Sequence, residues 1–198
     1  MSPGKKLQQT KPSHWPQEIQ YIQASRYHAS VLPEIRQFII GAVSTTCGQF
    51  SERCRSWVII RVISNISHPA CGQRGLFAAK KIPPRTRLLD YIGEIHCDDR
   101  PNSDYDLSLY RTQDGVNVGI DASTMGNEAR FINDYRGVQK KPNAAFSDAR
   151  TSSGELRMSI WSSDTEIKKD EEILVSYGKA WWRERYGVAA DIEHVVDT

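Results

Sequence analysis

From residue 57 to residue 177 the apolar residues fall into short runs, too brief for core helices and mostly fenced by Pro, Gly, Asn or Asp. The run at 57–63, WVIIRVI, is rich in β-branched residues and predicts a strand. Residues 88–95, 105–110, 116–120, 155–161 and 172–177 predict five more. Many short strands and few helices specify a mainly β domain. Strands do not alternate with long helices and no GxGxxG loop links a strand to a helix, which argues against a Rossmann-type fold.

Helical signals sit at the two ends. Ser30 stands in a capping place before Pro33 and Glu34, and Ile35, Phe38, Ile39, Ala42 and Val43 follow at helical spacing until Gly48. Residues 179–186, KAWWRERY, predict a second short helix. The expected organisation is an N-terminal arm and helical extension (1–56), a β domain with its closing helix (57–187) and a tail (188–198). The first dozen residues, with Lys5, Lys6 and Lys11, read as a disordered arm.

Composition narrows the function. Hydrophobic residues at 39% allow a real core, and a net charge of +2 with scattered Lys and Arg gives no reason to expect direct nucleic-acid binding. No apolar run reaches the roughly 18 residues that cross a bilayer, and no secretory signal opens the chain, so no membrane association and an intracellular location are expected. Cys47, Cys54, Cys71 and Cys97 include no CxxC pair, so free, mostly buried thiols are expected, with no metal and no structural zinc.

Four segments carry possible chemistry. GQRGLFAA at 72–79, followed by KKIP, keeps side chains out of the way of a ligand but also suits a plain turn. GNEARFIN at 126–133, with Pro142-Asn143 beyond it, offers Asn donors and acceptors that serve a ligand or a capped loop equally well. EEILVSYG at 171–178 ends an apolar strand on Tyr177, a fixed phenol or a core residue with its hydroxyl satisfied. Trp181 and Trp182 follow, able to pack or to wall a pocket.

Taken in order, these segments, together with Leu89-Asp90-Tyr91-Ile92-Gly93-Glu94, resemble the SET-domain family of protein lysine methyltransferases from about residue 57 to 186. The resemblance implies a β-clip fold of short strands whose C-terminal segment threads, pseudoknot-like, through a loop of earlier residues. It implies S-adenosylmethionine as cofactor, and a protein lysine as substrate, meeting it at a narrow channel. Carried over residue by residue, it places Gln73, Arg74 and Gly75 at the cofactor's methionine end. Asn133 and the backbone of Asp134 would hold the cofactor, Arg130 would brace that loop, and Tyr177 would be the catalytic tyrosine. Tyr105, Phe146 and Val175 fall at the substrate channel, while Trp181 or Trp182 would cover the adenine side or close the lysine channel.

This sequence departs from the family pattern after Asn133, where His-Ser-Cys is replaced by Asp134-Tyr135-Arg136 and a longer loop. The flanking zinc-binding cysteines of several branches are also missing. Phe146 lacks a hydroxyl that would narrow the channel, which points to di- or trimethylation. The acidic residues Asp98, Asp99, Asp104 and Asp106 suit a basic partner such as a histone tail, and with it a nuclear location, or form a solvated turn. The altered loop leaves a second reading: a non-catalytic SET-like module that binds peptides or chromatin.

Overall fold

The protein is described by a computed structural model covering residues 11–41 and 57–186. Expectations resting on Lys5, Lys6, Ala42, Val43, Cys47, Gly48, Cys54 and the 188–198 tail lie outside those residues. In chain order the elements begin with β1 (Gln20–Tyr21), β2 (Arg26–Tyr27) and α1 (Pro33–Ile40). Strands β3 (Val58–Val62), β4 (Arg74–Ala78), β5 (Arg87–Asp90) and β6 (Glu94–His96) follow. Next come β7 (Asp106–Arg111), β8 (Asn117–Asp121), β9 (Met125–Gly126), a 3-10 turn at Glu128–Phe131 and β10 (Asn133–Asp134). The chain closes with β11 (Ala144–Arg150), β12 (Leu156–Ser162), β13 (Leu174–Val175) and α2 (Lys179–Tyr186).

The strands form several small sheets, as the punctuated apolar runs require. β3 and β4 make an antiparallel pair, β11-β12-β5 a three-stranded sheet and β2-β6-β8-β7 a four-stranded one. β1 runs parallel to β9, and β10 parallel to β13. Leu76, Leu88, Ile160, Ile167, Ile173 and Val175 are fully buried between them. Each such side chain contributes about 1.5–3 kcal/mol relative to its exposed state.

The segment leading into β13 is held from two sides. Ile173 donates its N–H to the Leu76 carbonyl of β4 (2.7 Å). On the other side, Asn143 donates from Nδ2 to the Glu172 carbonyl (2.8 Å) and accepts at Oδ1 from the Leu174 N–H (2.8 Å). The C-terminal strand therefore passes between β4 and the 133–143 loop, the threading that the resemblance implies.

Two expectations change in detail. The run at 88–95 is two strands, because the chain leaves the sheet of β5 for that of β6 at residues 91–93. Gly93 permits the crossing: a Cβ there would overlap the backbone carbonyl of Asp121. The first helix is preceded by Leu32 with no side-chain cap. Ser30 instead donates to Asp98 (2.7 Å) and accepts from the Cys97 N–H (3.0 Å), tying the segment before α1 to the stretch after β6. The helix stops at Gly41, whose φ of 74° lies in the left-handed region that favours glycine.

Residues upstream of the β domain belong to its packing. Trp15 is buried, edge-on to Tyr21 (4.9 Å) and Phe131 (5.4 Å), and its Nε1 donates to the Ile19 carbonyl (2.8 Å). Cys71 is exposed and Cys97 half-buried, a correction to the expectation of mostly buried thiols. Among the described residues no group of His, Cys, Asp or Glu is placed to hold a metal, and no helix is long and apolar enough to cross a membrane.

Candidate functional site

The ends of β4, β10 and β13 converge on a cleft of about 930 Å³. Gln73 and Arg74 enter from the start of β4, Asn133 and Asp134 from β10, and Tyr177 from just beyond β13. Parallel pairing of β10 with β13, in the register Asn133↔Leu174 and Asp134↔Val175, brings residues more than 40 positions apart to one rim. Trp181 and Trp182 close that rim from α2. Tyr105 and Phe146 line the same cleft, as do Tyr91, Asp104 and Asp106.

Tyr177 is fixed at three points. Its backbone N–H donates to Asp134 Oδ2 (2.7 Å), its ring meets Trp181 edge-on at 4.9 Å, and its hydroxyl donates to the Ile132 carbonyl (2.7 Å). Because the phenol proton is given to a backbone oxygen, the lone pairs of Oη remain available as acceptors. Burial, with the Asp134 carboxylate adding to it, pushes the Tyr177 phenol above its ordinary value of 10.0. The group is a neutral phenol across the physiological range.

Asp134, which stands where the family pattern has His, is a hub. Its carboxylate accepts from the Tyr177 N–H, from Trp182 Nε1 (3.2 Å) and from Arg136 (2.9 Å). The departure from the pattern thus ties loop, tyrosine and closing helix together. Asn133 donates from Nδ2 to Glu172 Oε1 (2.9 Å) and to the Arg74 carbonyl (3.4 Å). Arg130 is buried, donates from Nε to the Ala122 carbonyl (2.8 Å), and lies over the Tyr105 ring at 4.2 Å.

Of the residues singled out from the sequence, two do not reach the cleft. Gly75 is not among the residues that line it: an added Cβ would meet Glu172 Oε1 at 2.6 Å, so this glycine makes room for a buried carboxylate. Val175 is completely buried, because its strand has β10 on one side and its side chain joins the core. Arg74 lines the cleft, but its Nε is given to the His14 carbonyl (2.9 Å).

Several residues that line the cleft escaped the sequence reading. Tyr91 lines the cleft, donates to the Tyr105 carbonyl (2.8 Å) and packs edge-on to Phe146 at 6.0 Å. Its place in the Tyr-Ile-Gly-Glu stretch was the available signal. Buried His68 and the wall formed by Pro16, Glu18 and Ile19 had no such signal, since they precede every recognised segment.

Known proteins bear on this arrangement in three ways. The family model described as SET domain matches residues 73–178. No curated protein matches the chain. Among solved structures, the crystal structure of ATXR5 in complex with histone H3.1 mono-methylated on R26 is similar over 81% of this chain and 81% of that one, at 17% identity and a TM-score of 0.57. The Chaetomium thermophilum polycomb repressive complex 2 matches 61% of this chain at 26% identity and a TM-score of 0.47. The structure titled ctPRC2 in an autoinhibited conformation bound to S-adenosylmethionine matches 62% at 27% identity and a TM-score of 0.48. In both of the latter the match spans 15% of the other chain's length.

Proposed function

The chain belongs to the SET-domain family, and on that premise we propose that its cleft binds S-adenosylmethionine and methylates a lysine side chain of another protein. One observation carries the reading: Tyr177 lines a single cleft together with Asn133, Asp134, Tyr105 and Phe146.

The residues present fit the cofactor. The indoles of Trp181 and Trp182 line the cleft and offer faces for a purine, and Gly72 and Gln73 leave backbone at its wall. Asn133 presents an amide whose Oδ1 has no donor among the described residues, suited to an ammonium group. Arg74, pinned to His14, acts as an anchor of the wall, and Trp182, bonded to Asp134, as its closure.

When bound, the cofactor supplies a sulfonium methyl, which moves to nitrogen as the N–C bond forms and the C–S bond breaks. A lysine ammonium has an ordinary pKa near 10.4 and must first lose a proton. Desolvation between Tyr91, Tyr105 and Phe146, with the positive sulfonium beside it, would disfavour the charged amine, and water would take the proton. Oη of Tyr177, with its own proton held by Ile132, accepts from the amine and from the polarised methyl hydrogens. Holding the partners in line supplies about 7–11 kcal/mol of the barrier.

Glu18, Asp104 and Asp106 at the cleft favour a basic segment around the target lysine, and a histone tail in the nucleus is the substrate we assign. The test is incubation with methyl-labelled cofactor and a panel of histones. Label on a lysine supports the reading; tight cofactor binding with no transfer to any protein rejects it in favour of a binding module.

A further inference from the structure

A buried polar chain leads from the cleft wall at His68 to Asn133, and its first two members, His68 and Glu172, have no part in the chemistry above. His68 and Glu172 are both buried, and Nε2 of the imidazole lies 2.9 Å from Glu172 Oε2. The other imidazole nitrogen, Nδ1, accepts the Ala70 backbone N–H (3.0 Å). A nitrogen that accepts carries no proton, which assigns the ring hydrogen to Nε2, donated to Glu172. The second carboxylate oxygen, Oε1, accepts from Asn133 Nδ2. Gly75 clears the space this carboxylate fills.

The consequence falls on Asn133. Two acceptors, Glu172 Oε1 and the Arg74 carbonyl, face one end of its amide and identify that end as the NH2. The opposite end, Oδ1, is left as an acceptor on a residue that lines the cleft. Were Glu172 free to turn, the amide could rotate and present donors instead.

We propose that His68 is a positioning residue that acts through Glu172 to hold Asn133 with Oδ1 toward the ligand, selecting a ligand with an ammonium donor. This rests on the cofactor reading above only for the identity of that ligand. His68 precedes the residues matched by the family model, 73–178.

The first test needs no ligand. In the full chain, nitrogen-15 NMR of the His68 imidazole, assigned by its loss in His68→Gln, is expected to show protonated Nε2 and unprotonated Nδ1 at neutral pH. The opposite tautomer or an imidazolium overturns the proposal. The second test is calorimetry with S-adenosylmethionine and with its analogue lacking the α-amino group. His68→Leu is expected to weaken the amine-bearing ligand by roughly tenfold or more, the scale of one lost buried hydrogen bond, while the deaminated analogue is held as before. His68→Gln, which can still donate to Glu172, retains most of the wild-type affinity. Glu172→Gln, which keeps the side-chain volume, gives the same ligand-selective loss as His68→Leu. Equal weakening of both ligands means a merely structural role and contradicts the proposal. A wild-type protein with the expected tautomer that binds neither ligand rejects the cofactor reading and, with it, the ligand named here.

Discussion

The hydroxyl of Tyr177 lies 2.7 Å from the carbonyl oxygen of Ile132, the residue immediately before Asn133. That bond joins the threaded C-terminal segment to the loop around it and aims the phenol oxygen. It also sets how the tyrosine titrates. Burial, and then Asp134, favour the neutral form, so the folded pKa exceeds the ordinary 10.0. For such a group the stabilisation is complete below the unfolded pKa and is lost as pH rises from there toward the folded value. Ultraviolet difference titration of wild type against Tyr177→Phe is expected to show no Tyr177 ionisation below pH 10. A tyrosinate signal removed by the substitution and lying below that pH would contradict this.

Gly93 sits where the chain changes sheets, with the Asp121 carbonyl in the space a Cβ would need. The obstacle is backbone and cannot swing aside. Gly93→Ala is expected to destabilise the fold by about 1–3 kcal/mol, as overpacking does. Thermal unfolding checks this, and an unchanged melting temperature would refute it.

Trp15 anchors the wall that residues upstream of the β domain supply to the cleft, through contacts with Tyr21 and Phe131. Trp15→Ala is expected to cost about 3–5 kcal/mol, the usual range for removing a large buried aromatic side chain. Urea unfolding measures it; a cost below about 1 kcal/mol would show that this segment is not part of the core.

How much of this was legible in the sequence depends on what each element uses for stability. Strands with β-branched residues, such as β3 and β8, announce themselves, and α2 has the bounds that its composition suggested. β11 does not, because AAFSDAR has no strand signature and gains its conformation from pairing along its length with β12. β1 and β2 are two residues each and exist only through their partners β9 and β6. At the site, the residues singled out within the recognised segments line one cleft, Gly75 and Val175 excepted. His68 and Pro16 arrive by tertiary packing, which leaves no periodic trace in the chain.

Phe146 lines the cleft against Tyr91 and brings no hydroxyl into it. Wild type is expected to yield di- or trimethyl-lysine with excess cofactor, and Phe146→Tyr to shift the product toward monomethyl. Mass spectrometry of the modified substrate checks both; monomethyl product alone from wild type would reject the channel argument.

The most direct measurement is the methylation rate of Tyr177→Phe against wild type, on the same histone panel and at equal saturation with S-adenosylmethionine. Removing one preorganised polar group at a reacting centre lowers turnover by about a hundred- to a thousandfold. A loss of that size is expected, with calorimetric cofactor affinity within about threefold of wild type, since a threefold change is under 1 kcal/mol. Undiminished methylation by Tyr177→Phe would contradict the account.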